Sequence, residues 1–256
     1  MKQRKPRISR IYALHYVKLA VRSLLFVLVL LAYILGKIET LDDFYAVPVA
    51  VWVFFVVEML LRFFPSRFES MGCQKQFERN YVPKETTDTR TSYQPWYVTL
   101  SVALVWLALN GVIGALYLTG VIDRGIMVLV CLFFSVCDII CILFFCPFQT
   151  WFMKNRCCTT CRIYNWDFAM MFTPLVFVPS LYTYSLLGCA LILLLRWEIG
   201  YRLHRERFSP ATNACLDCAS CEEKLCSHKK QLRGFLKKYK KRFFGQSSKD
   251  ESSHQK

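Results

Sequence analysis

Long apolar blocks separated by short polar segments set the pattern of this chain. They run from about Val21 to Gly36, Phe44 to Phe64, Trp96 to Leu118, Gly125 to Cys146 and Phe168 to Trp197. Blocks near 20 residues have the length a helix needs to cross ~30 Å of hydrocarbon. Inside a bilayer only helices satisfy their own backbone in an open chain, so each block predicts helix. The fold class is therefore all-α, a polytopic integral membrane helix bundle. The fifth block is long for one crossing and carries Pro174 and Pro179, which predict a break or kink. Trp96, Tyr97, Trp151, Trp166 and Trp197 sit at block edges, as interface anchors do.

Lys and Arg near span ends predict the orientation. Lys2, Arg4, Lys5, Arg7, Arg10, Lys18 and Arg22 place the N-terminal arm in the cytoplasm. No small-residue cleavage pattern follows the first block, so it reads as a retained span and not as a signal peptide. Lys37 against Glu39, Asp42 and Asp43 places the next loop outside. Arg62, Arg67, Lys75, Arg79, Lys84 and Arg90 bring the chain back inside, and the near-neutral turn 119–124 is outside. Lys154, Arg156 and Arg162 place the loop 147–167 inside. The tail is basic from Arg196, Arg202, Arg205 and Arg207 onward, so a single fifth crossing would violate the rule. A hairpin turning near Pro179-Ser180 returns the tail to the cytoplasm, with a first arm too short to span and buried in protein. The organisation read from this is a basic arm (1–20), a membrane bundle (21–197) with loops at 65–95 and 147–167, a Cys-rich tail (198–228), a basic amphipathic helix (229–244) and a disordered end (245–256).

Polar residues within the blocks change the picture. Glu58 precedes Arg62 by four residues, an i,i+4 ion-pair spacing. Asn110 and Asp138 lie on consecutive spans about 6 Å apart in depth, which predicts a hydrogen bond between them. A membrane carboxylate can equally mark an ion or proton path, although no second carboxylate is well placed for a relay. Gly111, Ala115 and Thr119 form a small-residue ridge suited to close helix approach. Cys137, Asp138 and Cys141 share one helical face.

The 256 residues include 33 Lys and Arg against 18 Asp and Glu, a net charge of +15, so basic surface faces an anionic partner. Composition excludes collagen, a disordered chain and a disulfide-dense secreted scaffold. Thirteen cysteines remain to be explained. Cys215, Cys218, Cys221 and Cys226, with His228 as a spare nitrogen ligand, suit a tetrahedral zinc site in a cytoplasmic tail too polar to fold around its own core. An Fe–S cluster also takes four thiolates, but the last gap is four residues and no Pro follows Cys226. Cys158 and Cys161 have the spacing of a redox pair, and flanking Arg156 and Arg162 would lower their pKa values. Such a pair beside the bilayer could pass electrons to a quinone. Leu232, Phe235, Leu236, Tyr239 and Phe243 fall on one face of a segment otherwise rich in Lys and Arg, the pattern of a helix lying on anionic lipid. A specific nucleic-acid partner is not expected, because the membrane is the nearer anion.

The run Cys146 to Trp166, with Cys157-Cys158-Thr-Thr-Cys161-Arg162 and Asn165-Trp166-Asp167, resembles an uncharacterised family of bacterial multi-spanning membrane proteins from Gram-positive anaerobes. The stretches Arg196 to Phe208 and Glu223 to Lys230 carry the same resemblance. It implies a bacterial membrane protein with a CCxxCRxxNWD-type loop and a Cys-rich C-terminal tail, and it brings no catalytic residue. The leading functional expectation is a non-enzymatic membrane scaffold or sensor with a cytoplasmic zinc site and a membrane-protein partner. Its alternatives are a thiol-disulfide oxidoreductase using Cys158 and Cys161, and a transporter with Asp138 in its pathway. No hydrolase, kinase or nucleotide-loop motif supports another enzyme class.

Overall fold

The computed structural model describes residues 10–36, 46–84, 94–155, 157–219, 221, 223, 225–226 and 229–230. Among these, regular structure is helical apart from one isolated bridge between Pro83 and Asn213. The α-helices are α1 (Arg10–Ile34), α2 (Ala46–Arg62), α3 (Met71–Gln74), α4 (Trp96–Leu118), α5 (Arg124–Leu143), α6 (Asp167–Phe172) and α7 (Leu181–Leu203). Three of them, α1, α4 and α5, are long and apolar enough to cross a membrane. The 17 residues of α2 lie at the short end of the spanning range. The first helix starts at Arg10 rather than at the apolar block, so Lys18 and Arg22 belong to the bundle and not to a surface arm.

α1 and α5 pack antiparallel. At one end Tyr33 Oη donates to Asp123 Oδ2 at 2.7 Å, and at the other the rings of Tyr16 and Phe144 meet at 6.2 Å. The approach is close because Gly125 lacks a side chain: a Cβ there would fall 2.6 Å from the Tyr33 ring. α2 and α7 run parallel, joined by Trp52 Nε1 to Ser185 Oγ at 2.7 Å near their starts and by Arg196 Nη1 to the Phe63 carbonyl at 2.7 Å near their ends. Phe55, Met59, Leu132, Phe168, Phe172 and Leu193 fill the core between these pairs.

The fifth apolar block is broken. α6 continues as a 3-10 turn over Thr173–Phe177, and the backbone is extended at Val178 and Ser180 around Pro179. A residue before proline is pushed out of the α region, which places the break here. Pro174 sits in the first turn of its 3-10 segment, where its missing N–H costs no internal bond. The two arms run antiparallel: Trp197 Nε1 donates to the Arg162 carbonyl at 2.9 Å, and Trp166 Nε1 donates to Glu198 Oε1 at 2.8 Å. The first arm, Asp167 to Phe177, rises only ~16 Å and cannot span. As a result, residues 65–84, the loop after α5 and the chain after α7 gather at the end of the bundle where α1 begins.

α4 departs from expectation. Gly111 has open space around it and the Gly111, Ala115, Thr119 ridge is exposed among the described residues. The close approach uses Gly114 instead, where a Cβ would fall 2.3 Å from the Phe177 ring. One residue of helical phase decides which small residue meets the re-entrant arm.

Candidate functional site

Two features occupy the end of the bundle where the loops gather. The first is a chain of buried ion pairs. Asp138 Oδ2 lies 3.0 Å from Arg22 Nη1, and Arg22 Nη2 lies 2.7 Å from Glu58 Oε2. Glu58 continues to Lys18 at 3.4 Å, Lys18 to Glu69 at 3.1 Å, Glu69 to Arg62 at 3.8 Å, and Arg62 to Asp167 at 2.6 Å. Charges alternate along the chain, with three cations between four carboxylates. Arg22 is fully buried and also donates to the Ser135 carbonyl at 2.9 Å. Phe168 presents its ring to both Arg22 and Arg62. Pairing and ring contacts compensate charges that would otherwise be prohibitively costly to bury.

These contacts correct two sequence expectations. Glu58 is not the ion-pair partner of Arg62; each reaches a different helix or loop, because tertiary partners lie closer than the i,i+4 neighbour. Asn110 Nδ2 donates to the Trp106 carbonyl of its own helix at 2.9 Å, not to Asp138. Asp138 is taken by Arg22. A second carboxylate, Asp167, faces the same cavity as Asp138, which the sequence spacing did not reveal.

The second feature is a thiol face shared by loop and tail. The π-helical turn Phe148–Phe152 follows α5, and Cys146 before it lines one cavity with Cys158 and Cys161 after it. The tail is pinned across them. Glu223 accepts hydrogen bonds from Ser70 Oγ, at 2.9 Å, and from the Met71 N–H. Leu225 is buried against Ile139, Ile142 and Leu143. Lys229 Nζ donates to Cys158 Sγ at 2.9 Å and to the Cys141 carbonyl at 2.8 Å. Cys226 shares a hydrogen bond with Cys157.

The electrostatics separate these thiols. The hydrogen bond from Cys226, then that from Thr159, holds Cys157 down at about 5 against its burial. Burial pushes Cys161 up to about 12, and its sulfur lies 3.7 Å from Met153 Sδ. Burial also raises Cys158, with Lys229 opposing. Burial therefore acts in the same direction on both thiols of the pair predicted as redox-active. Beside it, Lys75 is buried and pushed down to about 8 by desolvation, while its Nζ donates to the Thr159 and Cys161 carbonyls at 3.0 and 2.9 Å.

Cys215, Cys218, Cys221 and Cys226 line one recess together with Cys157, between the start of α1, residues 65–82 and the tail. Among the described residues, no three His, Cys, Asp or Glu side chains are gathered as a bound metal requires. His228 and Arg156 lie outside the described residues, as does the helix expected over 229–244 beyond Lys230. Lys18, Arg22, Gln149 and Lys229 are site residues that sequence reasoning missed. The i,i+4 spacing of Lys18 and Arg22 ahead of an apolar run was a usable signal for the first two. No family model matches the chain, and no curated protein or solved structure matches it either.

Proposed function

We propose that the chain is a multi-pass membrane protein with both termini in the cytoplasm, acting as a non-enzymatic scaffold or sensor through a thiol face that loop and tail build together. The observation that carries this reading is the convergence of Cys157 from the loop with Cys215, Cys218, Cys221 and Cys226 from the tail on one recess. The antiparallel arms of the fifth block favour the same topology, because they return the tail to the end where α1 starts and where basic residues concentrate. Zinc is the ion suited to four thiolates, with Cys215, Cys218, Cys221 and Cys226 as ligands and His228 in reserve. Such an ion would add to the order that the tail takes from its Glu223, Leu225 and Lys229 contacts. The basic segment 229–244, apart from its buried first residue Lys229, then lies against anionic lipid.

The test is metal analysis of the full-length protein purified under reducing, chelator-free conditions. Stoichiometric zinc is expected, lost in Cys218→Ser and Cys221→Ser, with thiol reactivity of the tail rising after chelation. Metal-free protein whose tail thiols react equally with and without chelator overturns the zinc site.

A further inference from the structure

Between α4, α5, α6 and the Phe148–Phe152 turn lies a cavity of about 150 Å³. A cavity of that volume takes a single six-membered ring, and its open side leaves room for ring substituents. Its wall is aromatic: the Trp106 ring meets Phe134 at 4.8 Å and Phe148 at 6.2 Å between centroids. Asp138 and Asp167, the two ends of the buried ion-pair chain, close one side. Thiols line another, among them Cys141 and Cys146, which hydrogen-bond to each other.

Gln149 links these parts. It is 5% exposed and lines the cavity. Its backbone N–H donates to Cys146 Sγ at 3.4 Å. Its Oε1 accepts from the Cys158 thiol at 3.4 Å, and Cys158 sulfur in turn accepts from Lys229. The Cys158 thiol also lies 3.8 Å from the Ile142 carbonyl, and in this arrangement Gln149 Nε2 is a buried donor with no partner among the described residues. A buried donor left unsatisfied is costly, so the cavity is complete only with an acceptor placed against it. A carbonyl on a flat, apolar ring meets that requirement and also covers the aromatic wall.

We propose that this cavity receives the carbonyl-bearing ring of a lipid-soluble quinone, and that Cys141 and Cys146 reduce it. The ring stacks on the aromatic wall, and one carbonyl oxygen accepts from Gln149 Nε2. In the reaction the S–H bonds of Cys141 and Cys146 break and one S–S bond forms. The two electrons and two protons released convert the quinone carbonyls to the two hydroxyls of the hydroquinone. The two thiols are thereby oxidised and the quinone reduced, one per chain. The oxidation state of the membrane quinone is thus written into a disulfide at the end of α5, beneath the residue that anchors the tail. This site is separate from the zinc site proposed for the tail and does not rest on it.

The experiment uses the full-length protein in nanodiscs, reduced and freed of reductant, mixed anaerobically with duroquinone, whose fully methylated ring suppresses direct thiol addition. One hydroquinone per chain is expected, with a Cys141–Cys146 disulfide found by peptide mass mapping. Cys141→Ser and Cys146→Ser each bring hydroquinone formation to background. Gln149→Leu keeps the disulfide reaction at saturating quinone but raises the half-saturating concentration about fivefold to tenfold, the effect of one net hydrogen bond. Cys218→Ser leaves the reaction unchanged whatever it does to zinc, so the two proposals fail separately. Hydroquinone formation persisting in the Cys141→Ser/Cys146→Ser double variant overturns the proposal, as does a disulfide mapped only among other cysteines.

Discussion

The Arg22 guanidinium meets the Asp138 carboxylate at 3.0 Å across the interface of α1 and α5, and its other nitrogen meets Glu58 of α2 at 2.7 Å. One side chain therefore ties together three apolar helices, between the Tyr33–Asp123 and Tyr16–Phe144 contacts that hold the two ends of the α1–α5 pair. In lipid, association gains nothing from the hydrophobic effect between helices, so polar contacts of this kind carry positional information. The contact also sets the polar end of the cavity, since Asp138 is both its wall and the terminus of the ion-pair chain.

Arg22→Met leaves Glu58 and Asp138 facing each other without their shared cation. Removing one partner of a buried pair costs ~3–5 kcal/mol. Thermal unfolding in detergent should show that loss. Arg22→Met combined with Glu58→Gln should recover part of it; equal stability of the single and double variants would show that the pair is not coupled.

Gly114→Ala places a methyl group against the Phe177 ring and should destabilise by about 1–3 kcal/mol. Gly111→Ala, with open space at its Cβ, should be neutral or stabilising by about 0.5–1 kcal/mol. Melting temperatures of the two variants in one detergent give the comparison. The opposite order would mean that α4 is rotated about its axis.

Cys157 should be alkylated by iodoacetamide at pH 7 in the metal-free, reduced protein, while Cys161 stays unreacted until the chain unfolds. The sign for stability follows from the direction of the shift. Cys157 has a folded pKa of about 5, below the ordinary 9.0, so its contribution is fully present above the unfolded value and is lost as pH falls through about 5. Cys157→Ser should flatten the acid side of the stability profile between pH 9 and 5. An unchanged profile would refute the assignment of the thiolate to this residue.

Reporter fusions after Lys18, Asp123 and Lys249 should read cytoplasmic, external and cytoplasmic. An external signal at Lys249 would require α7 to end on the far side, against the antiparallel arms of the fifth block.

A peptide covering 229–244 should bind anionic vesicles more strongly as the anionic fraction rises and more weakly as salt rises, at ~1 kcal/mol per surface Lys or Arg. Phe235→Glu should weaken it more than Gln231→Glu, because Phe235 lies on the apolar face of the predicted helix. Equal binding to neutral vesicles would remove the electrostatic contribution.

Much of this molecule was legible along the chain. Block length and composition are local properties, and they indicated helices, candidate spans and the break near Pro179, since proline acts on its own backbone and on the residue before it. Charge near the block ends is an equally local property, and the proposed orientation is read from it. The partners of the buried charges were not legible. Glu58 and Arg62 are correctly spaced for each other, yet each is closer to a residue from another element, and only the packing of α1 against α2 and α5 brings Arg22 and Lys18 to Glu58. Asp138 and Asp167 are 29 positions apart and share a cavity because the chain turns back after α5 and brings α6 against it. Spacing within the tail grouped Cys226 with Cys215, Cys218 and Cys221, whereas its hydrogen bond goes to Cys157 on a loop nearly 70 positions away. The unpartnered Gln149 amide carried no sequence signal, because a donor is recognised as unsatisfied only when everything around it has been placed. Periodicity and composition act over one or two helical turns, while pairing of charges, thiols and amides depends on distances across helices that no local pattern encodes.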